Sequence, residues 1–138
     1  MSTSPKQFAQ DLIDALNTHD PDRVTAFYAP DYEEIDVAQA GPQIGRDTVR
    51  RKLLAYWRAF PDLKFTLDDV IVEGDRFVMV WRWCGTHRGT IMNIPPTGRT
   101  VETRGTSIVD MSGDLIQRAT RIWDLAGLLR GMGLLTEL

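Results

Sequence analysis

The sequence is poor in the residues that most often do chemistry. Its 138 residues include one cysteine, Cys84, and two histidines, His19 and His87. One cysteine cannot form an internal disulfide, which fits a reducing, cytoplasmic compartment. So few His and Cys cannot compose a zinc-ligand spacing, and no metal is expected. No stretch approaches the ~20 apolar residues of a membrane helix. The opening Met-Ser-Thr-Ser-Pro-Lys-Gln lacks the apolar centre of a signal peptide. Basic residues are not in excess, with 16 Lys and Arg against 19 Asp and Glu and a net charge of −3, so the electrostatic footprint of a nucleic-acid binder is missing. There is no dinucleotide fingerprint, phosphate-binding loop or nucleophile elbow. These absences leave a cofactor-free site or a ligand pocket, with neither nucleic acid nor membrane as partner.

What is present is a globular composition, 43% hydrophobic and 25% charged. A chain of this length buries roughly 70% of its unfolded surface, enough for a core without disulfide or metal staples. One domain over residues 1–138 is expected, since no linker or repeat divides the chain.

The pattern begins helical. Ser4-Pro5-Lys6-Gln7 supplies a capping hydroxyl, a proline at the first helical position and a glutamine two residues later, and Phe8, Leu12, Ile13 and Leu16 follow on one face. Asp20-Pro21 restarts a shorter helix, with Val24, Phe27 and Tyr28 inward, that Pro30 ends. Tyr32 to Val37 reads as a short strand. A third helix from about Asp47 to Phe60 carries the stripe Val49, Leu53, Tyr56, Trp57 and Phe60.

Beyond residue 62 the period becomes two. Strands are expected from Leu63 to Val72, from Phe77 to His87, from Thr100 to Asp110 and from Leu115 to Trp123, with a loop over residues 88–100. A short helix from Leu125 to Met132 closes the chain. Helices segregated from a run of antiparallel strands define an α+β protein. A strongly curved, mainly antiparallel sheet wrapped around N-terminal helices would form a cone-shaped barrel with one pocket.

Particular segments carry a family resemblance. The run from Leu67 to Val78, then Gly85-Thr86-His87-Arg88-Gly89, then Ile94-Pro95-Pro96-Thr97-Gly98-Arg99, and the closing Trp123-Asp124-Leu125-Ala126-Gly127-Leu128-Leu129-Arg130-Gly131-Met132-Gly133 resemble the SnoaL-like polyketide cyclases. The resemblance spans nearly the whole chain. It implies the cone of the nuclear transport factor 2-like (cystatin-like) superfamily, a homodimer, a place in secondary metabolism, and an intramolecular aldol condensation run without a cofactor. In the family a carboxylate on the last strand removes an acidic proton, work suited to a buried carboxylate of raised pKa.

At the position matching that carboxylate, three residues before the helix-opening Asp124, stands Arg121. A histidine of the preceding strand is matched by Thr106. The family's acid–base pair is therefore not present at these positions. The catalytic candidates become Asp124, against its ordinary role as a helix cap, His87, whose imidazole suits proton transfer, and Arg121, as a cation for an anionic substrate or an enolate. Arg104 and Thr106 share a strand face, and with Trp57 and Trp83 are candidates for substrate binding. The aromatic residues would build a wall for a flat, small apolar or aromatic molecule, and residues 90–99 would cover it. Cys84 is expected to be a small core residue. Three functions stay open: a cofactor-independent enzyme doing enolate, aldol-type chemistry on an apolar carbonyl compound; a non-catalytic binding protein of the same fold; and a hydrolase or isomerase analogous to limonene epoxide hydrolases.

Overall fold

The computed structural model describes residues 3–137. Helix α1 (Pro5–Asn17) is capped by Ser4, whose side chain accepts from the Gln7 backbone at 3.2 Å. The Gln7 amide does not complete a capping box; it donates forward to Asp11. Helix α2 (Pro21–Thr25) is capped in the same way by Asp20. It ends before the expected point, and Tyr28 opens strand β1 (Tyr28–Asp36). The chain leaves the helix because the Ile116 backbone donates to the Phe27 carbonyl at 2.9 Å and β1 aligns parallel to β6 (Leu115–Trp123). Pro30, which has no N–H for a ladder, falls where that pairing is interrupted between Tyr28 and Glu33.

Strand β2 (Gln43–Ile44) precedes helix α3 (Arg46–Ala59). Then come β3 (Lys64–Glu73), β4 (Arg76–Thr86), β5 (Thr100–Ser112), β6 and helix α4 (Leu125–Gly131). The sheet runs β2-β1-β6-β5-β4-β3, antiparallel except for β1 against β6. Register shifts between Leu67 and Asp69 and between Asp110 and Met111 act as bulges, which bend strands and raise their twist. The sheet curls into a cone without closing, and β2 and β3 remain its edges.

Helices α1 and α3 fill the concave side. Leu12 and Ile13 of α1 and Val49 and Trp57 of α3 meet Met79, Trp81 and Trp83 of β4 there, all buried. Helix α4 packs on β5 through Leu128 and Met132, and among the described residues no helix is long and apolar enough to cross a membrane. The loop after β4 is tied to the end of α3: Arg88 and Gly89 donate to the Ala59 carbonyl at 2.8 and 3.1 Å. Gly89 permits this approach, because a Cβ there would stand 2.7 Å from the Arg58 carbonyl oxygen. Cys84 is a correction. It is exposed, because odd-numbered residues of β4 such as Trp81 and Trp83 take the inner face.

Candidate active site

Inside the cone is a cavity of about 100 Å³. Most of its wall is apolar: Leu12, Ile13 and Leu16 from α1, Leu53 and Trp57 from α3, and Phe65, Trp81 and Trp83 from the sheet. One end is charged. Tyr32, Glu34 and Asp36 of β1 alternate inward at period two and are 0%, 1% and 5% exposed. Lys52 reaches them from α3 and Arg121 from β6.

The contacts form one network. Arg121 donates to Glu34 Oε1 at 2.8 Å, and its other terminal nitrogen lies 3.8 Å from Asp36 Oδ2. Lys52 Nζ donates to Glu34 Oε2, and to Asp36 Oδ2 at 3.3 Å. The Tyr32 hydroxyl donates to Glu34 Oε1 at 3.2 Å. Trp123 Nε1 and the Ala38 backbone each donate to Asp36 Oδ1 at 2.9 Å. Two carboxylates and two cations thus balance within a largely apolar chamber, which is how buried charge is tolerated.

The titration behaviour follows from these contacts. Burial alone pushes the Glu34 carboxyl up, but the charges of Arg121 and Lys52 and the Lys52 and Tyr32 hydrogen bonds outweigh it and hold Glu34 below the ordinary range. Asp36 is likewise lowered against burial, by the Ala38 and Trp123 donors and the two cations. Burial pushes the Tyr28 hydroxyl up to about 12 although Arg121 opposes it, and burial also raises Tyr32 and Tyr56. The chamber therefore offers ionised carboxylates, fixed cations and neutral phenols. The two carboxylates each accept three donors, but distribute them differently. Glu34 takes a close cation on each oxygen, whereas Asp36 takes Trp123 and Ala38 on Oδ1, which leaves Oδ2 with Lys52 at 3.3 Å and Arg121 beyond it.

The residues singled out from sequence are dispersed. Arg121 lines the charged end, and Trp57 and Trp83 line the apolar wall. Asp124 caps α4, its carboxylate accepting from the Gly127 backbone at 2.8 Å, and does not line the cavity. His87 is wholly buried beside Phe60, and its Nδ1 accepts the Thr97 backbone N–H at 3.2 Å. That arrangement ties the loop after β4 to its own start. Arg104 and Thr106 stand on the outer face of β5. The inward residue of β5 opposite Arg121 is Ser107, which accepts from Trp81 Nε1 at 2.9 Å.

Glu34, Asp36 and Lys52 were not singled out from sequence. The signal that could have found them is the spacing Tyr32-x-Glu34-x-Asp36, a tyrosine and two carboxylates on one strand face. It is masked because the other face carries Asp31 and Glu33, and Glu33 pairs outward with Arg118 at 2.6 Å. Alternation that is acidic on both faces does not reveal which is inside.

A curled sheet over packed helices is the nuclear transport factor 2-like, or ketosteroid isomerase-like, fold, here enclosing an apolar chamber with a carboxylate–cation network at one end. The model of the SnoaL-like polyketide cyclases matches residues 6–132, and the chain belongs to that family. Similar solved structures include AclR from Streptomyces galilaeus, named as a candidate hydroxylase, with 21% identity, a TM-score of 0.86, and 96% of this chain and 87% of that one covered. TsrD from Streptomyces laurentii is 28% identical, with a TM-score of 0.84 and 94% and 95% covered. IdmH from Streptomyces antibioticus, named as a candidate polyketide cyclase, is 24% identical, with a TM-score of 0.82 and 95% and 99% covered. No protein of curated function matches the sequence. One fold thus carries both hydroxylase and cyclase names, so the reaction has to be argued from the site.

Proposed function

We propose that this protein is an enzyme acting on an apolar, carbonyl-containing small molecule by enolate, aldol-type chemistry, with Asp36 as the base. The observation that carries the reading is the under-used Asp36 Oδ2, in a chamber where Lys52 and Arg121 stand beside it. A carbon between two carbonyls gives its proton to Asp36 Oδ2, and the C–H electrons move onto the carbonyl oxygen as an enolate. Lys52 and Arg121 stabilise that oxygen where charge develops. The enolate carbon then attacks a second carbonyl of the same molecule, and the new alkoxide takes its proton back from Asp36. A carboxylate held below its ordinary pKa is a weak base, so the substrate proton must be acidic, as one flanked by two carbonyls is. Glu34, which takes a close cation on each of its oxygens, acts as the anchor that holds Arg121 and Lys52 in place.

The test is hydrogen–deuterium exchange at the acidic carbon of an aromatic β-dicarbonyl, followed by NMR, beside ring closure of a polyketide-like substrate. Asp36→Asn should slow exchange about 100-fold or more while the ligand still binds. Exchange in Asp36→Asn at the wild-type rate would remove the proposal. Asp124→Asn and His87→Gln should stay within tenfold of wild type, since neither side chain lines the cavity.

A second reading has one observation in its favour. Arg121 lies between two carboxylates, Glu34 at 2.8 Å and Asp36 at 3.8 Å, an arrangement that can orient and deprotonate water as in limonene epoxide hydrolases. Hydrolysis of an apolar epoxide with no deuterium exchange on dicarbonyls would favour it. Binding of both compounds with turnover of neither would make the protein a ligand carrier. We also propose a homodimer through the outer sheet face, where Ile122 is 48% exposed beside Thr106; sedimentation at micromolar concentration tests it.

A further inference from the structure

The inner cavity is small for a polycyclic molecule. At about 100 Å³ it has room for one ring at most, since an apolar cavity of ~150 Å³ accommodates benzene. Outside it lies a second cleft of about 650 Å³, and the two spaces share Lys52, Tyr56 and Trp123 as a common wall. Three features of this cleft are unaccounted for by packing.

The first is apolar exposure. Ile44 and Met92, both lining the cleft, are 60% and 43% exposed. The second is an uncommitted cation. Arg51 lines the cleft, is exposed and makes no ion pair among the described residues, while its helix neighbours Arg50 and Lys52 are paired with Asp22 and with the buried carboxylates. The third is backbone strain at the rim. Ile91 and Ile94 exchange both backbone hydrogen bonds, at 3.2 and 2.7 Å, around a two-residue turn in which Met92 and Asn93 have φ of 50° and 61°. Such turns favour glycine, asparagine or aspartate, and a methionine there is disfavoured. An unfavoured residue whose adaptable apolar side chain faces a cleft marks a position kept for contact rather than for the turn.

We propose that this cleft is a second binding chamber, and that the ligands are anionic amphiphiles spanning both spaces. A ring-sized apolar head occupies the cavity, an apolar stem passes Trp123 and Tyr56 to lie along Ile44 and Met92, and a carboxylate or similar anion meets Arg51. The proposal rests on the small-molecule reading above and adds the shape and charge of the molecule.

Unreactive probes test it by calorimetry or tryptophan quenching: benzyl alcohol, 6-phenylhexan-1-ol and 6-phenylhexanoate. The long probes should bind at least tenfold more tightly than benzyl alcohol, with the carboxylate tightest. Arg51→Ala should weaken 6-phenylhexanoate about three- to fivefold, the range of an exposed ion pair, and leave the alcohols unchanged. Met92→Gly should weaken both long probes about threefold, and should not lower the melting temperature, because glycine adopts positive φ freely. Equal affinity for short and long probes, or an Arg51→Ala effect that does not distinguish acid from alcohol, overturns the proposal. A fall in melting temperature of Met92→Gly without change in affinity does so too. The probes undergo no chemistry, so the same titrations on Asp36→Asn separate the outcomes. A failed enolate reading leaves the length and charge dependence intact, and a failed second chamber leaves deuterium exchange intact.

Discussion

Replacing Arg121 by methionine tests the charge network at its most informative point. The substitution keeps most of the apolar volume and removes one of two cations facing Glu34 and Asp36. Glu34, 1% exposed, then depends on Lys52 and Tyr32 alone, and the cluster carries one unbalanced negative charge. Breaking a buried pair from one side costs about 3–5 kcal/mol, and the partial exposure of the Arg121 side chain, 24%, puts the expectation at the lower end, ~3 kcal/mol. An unfolding entropy of about 2.1 cal/mol/K per residue over 138 residues turns that into a fall in Tm of roughly 10 °C.

The pH dependence is the sharper part. In the wild type both carboxyls are lowered on folding, so their contribution is present above their ordinary values of 4.5 and 3.8 and is lost as pH falls through the folded values. In Arg121→Met the largest charge opposing the burial of Glu34 is lost, and its carboxyl moves up from its wild-type position. The penalty is then full at pH 7 and is relieved as pH falls and that carboxyl takes a proton. Thermal melts followed by circular dichroism at pH 7 and near pH 4.5 should show the gap to wild type narrowing at the lower pH. Adding Glu34→Gln should recover part of the loss at pH 7. A loss below about 1 kcal/mol, or one equal at both pH values, would refute the reasoning.

Other expectations follow from single contacts. The ionised state of Asp36 implies that kcat/KM rises with pH only in the acid range, below the ordinary aspartate value of 3.8, and is flat through neutrality; a neutral-range inflection would point to another base. Arg104→Ala and Thr106→Ala, on the outer sheet face, should leave affinity for small apolar ligands within twofold, as measured by calorimetry. Gly89→Ala should destabilise by roughly 1–3 kcal/mol, because its Cβ would meet the Arg58 carbonyl oxygen at 2.7 Å and backbone must shift; denaturant melts read this directly. Ser4→Ala should cost about 1 kcal/mol as a lost N-cap, in the same assay.

The elements were legible wherever local chemistry decides them. Ser4-Pro5 and Asp20-Pro21 announce helix starts, and Leu115–Trp123 matches its strand end to end. Legibility failed where distant pairing overrides a local pattern. Phe27 and Tyr28 read as helix because they continue an apolar face, yet β6 takes that backbone into the sheet. The site divides in the same way. Arg121 could be placed on a pocket face by alternation from Trp123, but Thr106 and Arg104 share the outer face because β5 pairs with Ser107, not Thr106, opposite Arg121. A shift of one residue exchanges the two faces of a strand, and that choice is made by the neighbour's hydrogen bonds.

Periodicity, caps and turns along the chain were therefore enough for an α+β protein with an aromatic-lined interior, since each depends on residues a few positions apart. The charged end of the chamber needed the folded molecule. Glu34, Asp36, Lys52 and Arg121 come from a parallel pairing, a helix crossing and a curled sheet, contacts between residues far apart in the chain. Desolvation and mutual charge, which make those four groups one coupled charge network rather than four surface ions, exist only once that burial is complete.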